Sequence, residues 1–239
     1  MKTFSRLSLS GILPVSLVWK QPKFNADYYE LVDVSAGDRL FATISWPKWL
    51  SDLAIARSAA GIWHFDRTGW TRSTIMVTHP EDPATNSSTG KQPQFIQVAS
   101  FEIGWMWEGD MVLHSGKVYH WYRTKSLRNA WALSEVISDP QQDHPTHTIS
   151  QAKPANTERK RKKLRLWKHS RPVRRESVVY EIEFGMRWFK QEAWITLPSY
   201  QAAQHPGLIF LLCTGMYLGY CYNQDSAAAV AVCTTAAVT

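Results

Sequence analysis

The sequence predicts a mainly β fold: a twelve-stranded antiparallel closed barrel around a central hydrophobic C-terminal α-helix. Three observations carry this. The first two thirds of the chain break into short alternating segments separated by Gly, Pro, Asn and Ser, the grammar of strands and turns. Near the end, Leu208 to Tyr222 (LIFLLCTGMYLGYCY) departs from apolar character only at Thr214, Gly215 and Gly219. A helix that is hydrophobic all round has to be enclosed. Finally, 239 residues with 44% hydrophobic side chains and twelve tryptophans suffice for one large core.

Taken in order, Leu17 to Trp19 reads as the first strand. Tyr28 to Val34 and Arg39 to Ser45 flank Ser35-Ala36-Gly37-Asp38, a hairpin turn in which Gly37 supplies positive φ without a Cβ penalty. Leu53 to Ser58, Ile62 to Arg67 and Thr74 to Thr78 follow. Within Gly61 to Arg67, Trp63 and Phe65 share one face while His64 and Asp66 share the other, the alternation of a half-buried strand. After a polar loop from His79 to Gln92 come Gln94 to Ala99, Met111 to His114, Lys117 to Arg123 and Ala130 to Val136. Leu164 to Lys168 and Ser177 to Phe184 bring the count to twelve. The connections suit antiparallel pairing, and closure removes exposed edges.

An internal repeat supports one sheet system. Arg67-Thr68-Gly69-Trp70-Thr71-Arg72 and Arg123-Thr124-Lys125-Ser126-Leu127-Arg128 share R-T-x-x-x-R at an offset of 56 residues. Their flanks match in kind: Trp63 with Tyr119, Phe65 with Trp121, Ile75 with Trp131 and Val77 with Leu133. The four arginines either keep hairpin tips soluble and discourage edge pairing, or act together on an anion.

As a helix, Leu208 to Tyr222 is about 22 Å long, short of the roughly 30 Å of membrane hydrocarbon. Six- or seven-residue strands span about 20 to 23 Å, which matches it. Pro206 and Gly207 open the helix, and Gly215 and Gly219 allow close approach by bulky barrel aromatics. Asn223, Gln224 and Asp225 follow in place of the basic flank of a tail anchor, so no transmembrane span is expected. The expected organisation is an N-terminal arm (1–16), one barrel domain (17–226) with a flexible polar insertion (138–162) and central helix (206–222), and an Ala-rich tail (227–239).

Charge is local. Residues 158–175 hold ten Lys and Arg and one Glu, which leaves 17 basic and 19 acidic residues elsewhere out of totals of 27 and 20. A near-neutral domain with one basic patch is expected. The apolar stretch from Leu13 to Trp19 is broken by Pro14 and Ser16 and lacks a cleavage signature. Cys213, Cys221 and Cys233 sit too close to the end to form a framework spanning the chain, which suits a reducing, cytoplasmic setting.

Catalytic motifs are missing from the sequence: no G-x-S-x-G elbow, Walker loop, Rossmann fingerprint or H-E-x-x-H helix occurs. His144 and His147 have a ligand-like spacing in a polar loop but no fixed surroundings. Glu102, Glu108 and Asp110 near Trp105 and Trp107 read as a loop with tryptophan anchors. Neither enzymatic activity, metal nor cofactor is expected. Cys213 and Cys221 are expected to pack as small hydrophobes.

The runs YYELVDVSAGDRLFATISWPK, GIWHFDRTGWTRSTIMV, GKVYHWYRTKSLRNAWALSE and VYEIEF, then the apolar LIFLLCTGMYLGYCY with Asp225 and alanines behind it, resemble the tubby C-terminal-domain-like superfamily. The likeness is closest to its LURP-one-related and bacterial tubby-like branch, more distantly to phospholipid scramblases, and covers most of Leu17 to Val232. It is carried by the order of the motifs. The resemblance implies a twelve-stranded barrel around a hydrophobic helix, and relatives that include phosphoinositide-binding tubby domains. Three functions are therefore weighed. The first is a non-enzymatic module that engages anionic membrane lipid through Arg67, Arg72, Arg123, Arg128, Arg171, Arg174 and Arg175, peripherally at the membrane. The second is a protein-interaction scaffold without a lipid ligand. The third is weak nucleic-acid association through the basic tract, with Trp167 interleaved for stacking.

Overall fold

The structure is a computed structural model. It describes residues 16–23, 26–47, 52–69, 73–80, 95–104, 106–125, 129–137, 175–187 and 190–236. Twelve strands run β1 (Leu17–Lys20), β2 (Tyr28–Asp33), β3 (Arg39–Ser45), β4 (Ala54–Ser58), β5 (Gly61–Thr68), β6 (Ser73–Pro80), β7 (Phe95–Ile103), β8 (Gly109–Leu113), β9 (Val118–Lys125), β10 (Ala130–Ile137), β11 (Arg175–Arg187) and β12 (Lys190–Thr196). A short helix, α1 (Tyr200–Ala203), and a long one, α2 (Leu208–Ala236), complete the described chain. Each strand pairs antiparallel with its neighbours in sequence, and β1 closes on β12 through Leu17 opposite Ile195 and Trp19 opposite Ala193.

The alternation seen in the sequence sorts side chains as expected. Trp63, Phe65, Ile75 and Val77 on the β5–β6 hairpin, and Tyr119, Trp121, Trp131 and Leu133 on β9–β10, are all buried. The two repeat copies lie four strands apart, a third of the way round the barrel. Register shifts at Leu31/Val32, Val77/Thr78, Ala130/Trp131 and Leu133/Ser134 supply local twist and bending that help the sheet close. In the first hairpin turn Gly37 and Asp38 have φ of 68° and 62°. A Cβ at Gly37 would meet nothing within 4 Å, so backbone conformation and not space favours glycine there.

α2 fills the barrel. Leu208, Leu211, Leu212, Cys213, Met216, Tyr217, Leu218 and Cys221 join the inward strand residues in one core. Each large apolar side chain enclosed this way contributes about 1.5–3 kcal/mol gross. The helix seats on β11 through two glycines. A Cβ at Gly215 would lie 2.2 Å from the Tyr180 hydroxyl, and one at Gly219 would lie 1.9 Å from the Phe184 ring. Tyr180 completes the contact by donating to the Leu211 carbonyl at 2.7 Å. Burial pushes the thiols of both cysteines up, Cys221 to about 12, so they pack as apolar groups.

Two elements differ from the sequence reading. The expected strand Leu164 to Lys168 lies outside the described residues, and the twelfth place is taken by β12. Its apolar signal is thin because Lys190, Gln191 and Glu192 open it, leaving Ala193 and Ile195 as its buried apolar pair. Its Trp194 ring covers Gly185, where a Cβ would come within 2.5 Å of that ring. The second difference is length. α2 continues past Tyr222 to Ala236, because alanine has the best helix propensity and nothing stops the chain. Among the described residues no helix is long and apolar enough to cross a membrane.

Candidate ligand site at the barrel mouth

α2 leaves the barrel at one end, here the exit rim, where odd-numbered strands finish and even-numbered strands begin. A collar of aromatic and polar side chains grips it there. Tyr217 donates to the Asp52 carbonyl, Trp46 lies against Tyr220 with centroids 3.8 Å apart, and Tyr222 meets Trp107 edge-on at 6.0 Å and Trp131 at 5.1 Å. Trp107 reaches this position from a residue with φ of 61°, in the left-handed region.

The repeat arginines both come to this rim, in different states. Arg67 ends β5 and forks onto Asp225 of α2, Nη1 to Oδ2 at 3.0 Å and Nη2 to Oδ1 at 3.3 Å. Its Nε donates to Asp52 at 2.8 Å and its Nη2 lies 2.8 Å from the same carboxylate, and its guanidinium lies 5.6 Å from the Trp107 ring. Burial by itself lowers this guanidinium's pKa. The Asp225 hydrogen bond, with the charges of Asp225 and Asp52 around it, more than offsets that, so the group is held more firmly protonated than usual.

Arg123 on β9 sits over Trp131 and Tyr222, 5.8 Å from each ring. No carboxylate pairs with it among the described residues, and its buried Nε has no hydrogen-bond partner among them. Of the remaining candidates, Arg72, Arg128, Arg171 and Arg174 lie outside the described residues. Arg175 opens β11 opposite Ile137, at the far rim. The described chain therefore brings Arg67 and Arg123 to one rim and starts Arg175 at the other. The rest of the basic tract, the 138–162 insertion, and His144 and His147 also fall outside the described residues.

A cleft of about 340 Å³ opens between α2 and the wall at the same rim. Its lining includes Tyr29, Phe184, Met216 and Tyr220 as apolar surface, with Asn129, Asn223, Gln191 and Glu192 as polar groups. Sequence reasoning passed over these residues. One signal was available: Gln191 alternates with Ala193 and Ile195 on β12, a polar side chain in an otherwise core-facing series.

The other sequence candidates are structural in their contacts. Glu102 and Asp110 stand in register with His120 and Ser134 across β7 to β10. His120 Nδ1 donates to Asp110 at 2.6 Å, but Ser134 is fully buried and donates to Tyr122 at 3.3 Å, so this row exposes no nucleophile. Among the described residues no three His, Cys, Asp or Glu side chains converge as metal ligands do. Comparison of the chain with protein-family models, curated proteins and solved structures finds no match.

Proposed function

We propose that the chain is a non-enzymatic, tubby-like binding module that engages anionic phospholipid at the exit rim, with Arg123 as its principal described contact, and that it acts in the cytoplasm, peripherally at membranes. One observation carries this reading. Arg123 keeps its charge unpaired among the described residues while two aromatic rings hold its plane in place. A guanidinium fixed in this way offers a phosphate charge-assisted hydrogen bonds at little further entropic cost. The segments that join β5 to β6 and β9 to β10 carry Arg72 and Arg128 in sequence.

The test is co-sedimentation with phosphatidylcholine vesicles, with and without phosphatidylserine, over a salt series. Binding is expected only with the anionic vesicles, and it weakens as salt rises. Arg123→Met is expected to weaken it about fivefold, the equivalent of about 1 kcal/mol for one basic contact. If the protein stays in the supernatant with anionic vesicles at low salt, the lipid reading is dropped and the protein-interaction scaffold takes its place. A gel shift that depends on residues 158–175 would move the reading to nucleic acid.

A further inference from the structure

We propose that the cleft between α2 and the β2, β11 and β12 wall is a separate small-molecule site, suited to a planar, uncharged molecule whose edge carries carbonyl oxygens, as a cyclic imide or pyrimidine base does. Its volume of about 340 Å³ lies within the range of ligand pockets, roughly 300–1,000 Å³. Tyr29, Phe184 and Tyr220 supply ring surface, and Met216 gives a pliable apolar contact.

The hydrogen-bond polarity of the lining selects the ligand. Indole N–H is a donor only, so the atom of Asn129 that receives Trp131 Nε1 at 2.8 Å is Oδ1. Asn129 must then present Nδ2, which donates to Asn223 Oδ1 at 2.7 Å. That leaves Asn223 Nδ2 as the unpartnered end among the described residues. On the opposite wall, Tyr29 donates its hydroxyl to Gln191 Oε1 at 2.5 Å, leaving Gln191 Nε2. Burial, with Tyr220 adding to it, holds the Tyr29 pKa well above the ordinary tyrosine value, so this donor is never lost near neutral pH. Gln224 Nε2 donates to the Tyr220 hydroxyl at 2.5 Å, which frees that hydroxyl's own hydrogen.

Three cleft residues thus have donors to spare while the acceptors named here are occupied. A ligand rich in carbonyl oxygens satisfies them. Glu192 is the one charged residue among the described lining, and its negative charge at the wall disfavours an anion. Arg123 does not line the cleft, so this site and the rim arginine are chemically distinct.

Titration of the full chain with uridine, followed by calorimetry or by saturation-transfer NMR, tests the proposal. Saturable binding at millimolar concentration or below is expected, weakened roughly three- to tenfold by Asn223→Ala or Gln191→Ala. Arg123→Met is expected to leave it unchanged. Near-UV circular dichroism checks the fold of each variant; should Asn223→Ala unfold, Gln191→Ala on β12 carries the test. Absence of saturable uridine binding, or binding that survives Gln191→Ala unchanged, would overturn the proposal. Benzoate binding more tightly than uridine would overturn the assignment to an uncharged ligand.

Discussion

The two copies of the R-T-x-x-x-R hairpin began with the same chemistry and use it differently. In the β5–β6 copy, Arg67 is held by Asp52 and Asp225, with 14% of its side chain exposed, and its charge is used up in fastening α2. In the β9–β10 copy, Arg123 meets α2 through the face of Tyr222 and has no carboxylate among the described residues. The difference comes from the helix. α2 turns Asp225 toward Arg67 and Tyr222 toward Arg123, so one copy meets a carboxylate and the other a ring. Repetition in sequence does not impose repetition of role when the partner itself has no matching symmetry.

The most severe way to break the comparison is to remove the seat both copies share. Gly215→Ala pushes a methyl group into the fully buried, hydrogen-bonded Tyr180. We expect a loss of about 3 kcal/mol, read as the shift in a urea unfolding midpoint, with both arginine contacts displaced together. Next comes Arg67→Met. Full burial of an ion pair would make its loss worth about 3–5 kcal/mol, but Asp52 and Asp225 are 51% and 41% exposed, so about 2 kcal/mol is expected.

Arg123→Met is expected to change stability by less than about 1 kcal/mol, because it leaves no carboxylate stranded among the described residues, while reducing anionic-vesicle binding. The converse variant sharpens the contrast. Asp52→Asn with Asp225→Asn releases Arg67, and anionic-vesicle affinity should then rise, by about fivefold if one additional basic contact forms. No rise would show that charge pairing is not what separates the two copies.

The smallest effect lies at the opposite rim. His205 Nδ1 accepts from the Gly207 N–H at 3.2 Å, so neutral His205 carries its proton on Nε2, which donates to the Tyr119 hydroxyl at 3.0 Å. Burial lowers its pKa, Glu135 opposes this and Lys117 adds to it. The unfolded chain therefore takes up a proton near pH 6.5 that the folded chain takes up only at lower pH. Stability contributed by neutral His205 is complete above that value and falls as pH drops from about 6.5 toward the folded pKa. His205→Gln should flatten part of this slope in urea midpoints measured from pH 7.5 down to 5. A residue remains from His64, whose pKa is lowered by burial and by Arg57 and His79.

Much of the architecture was legible in the residues. Alternation located β2, β3, β5, β6, β9 and β10 because one face of each is apolar and the other polar, and the unbroken apolar run had nowhere to go but inside. β12 escaped detection because a strand with Gln191 and Glu192 near its start carries too little alternation to stand out, and only closure against β1 requires it. At the site, arginines drew notice because charge is conspicuous in sequence. Asn129, Asn223, Gln191 and Tyr29 did not, since each is ordinary where it stands and gains meaning through partners 162 positions away (Tyr29 with Gln191) or 94 (Asn129 with Asn223).

The sequence by itself determined the barrel-and-helix architecture, the burial of both repeat hairpins and the need for Gly215 and Gly219, because periodicity and side-chain size act locally along the chain. Tertiary structure decided which arginine is paired, where β12 closes the sheet, and which way the amides around the cleft point. Those depend on the rotational setting of α2 within the barrel. That setting is fixed by the combined fit of Tyr180, Phe184, Trp46, Trp107 and Trp131 against the helix, and no single stretch of chain contains it.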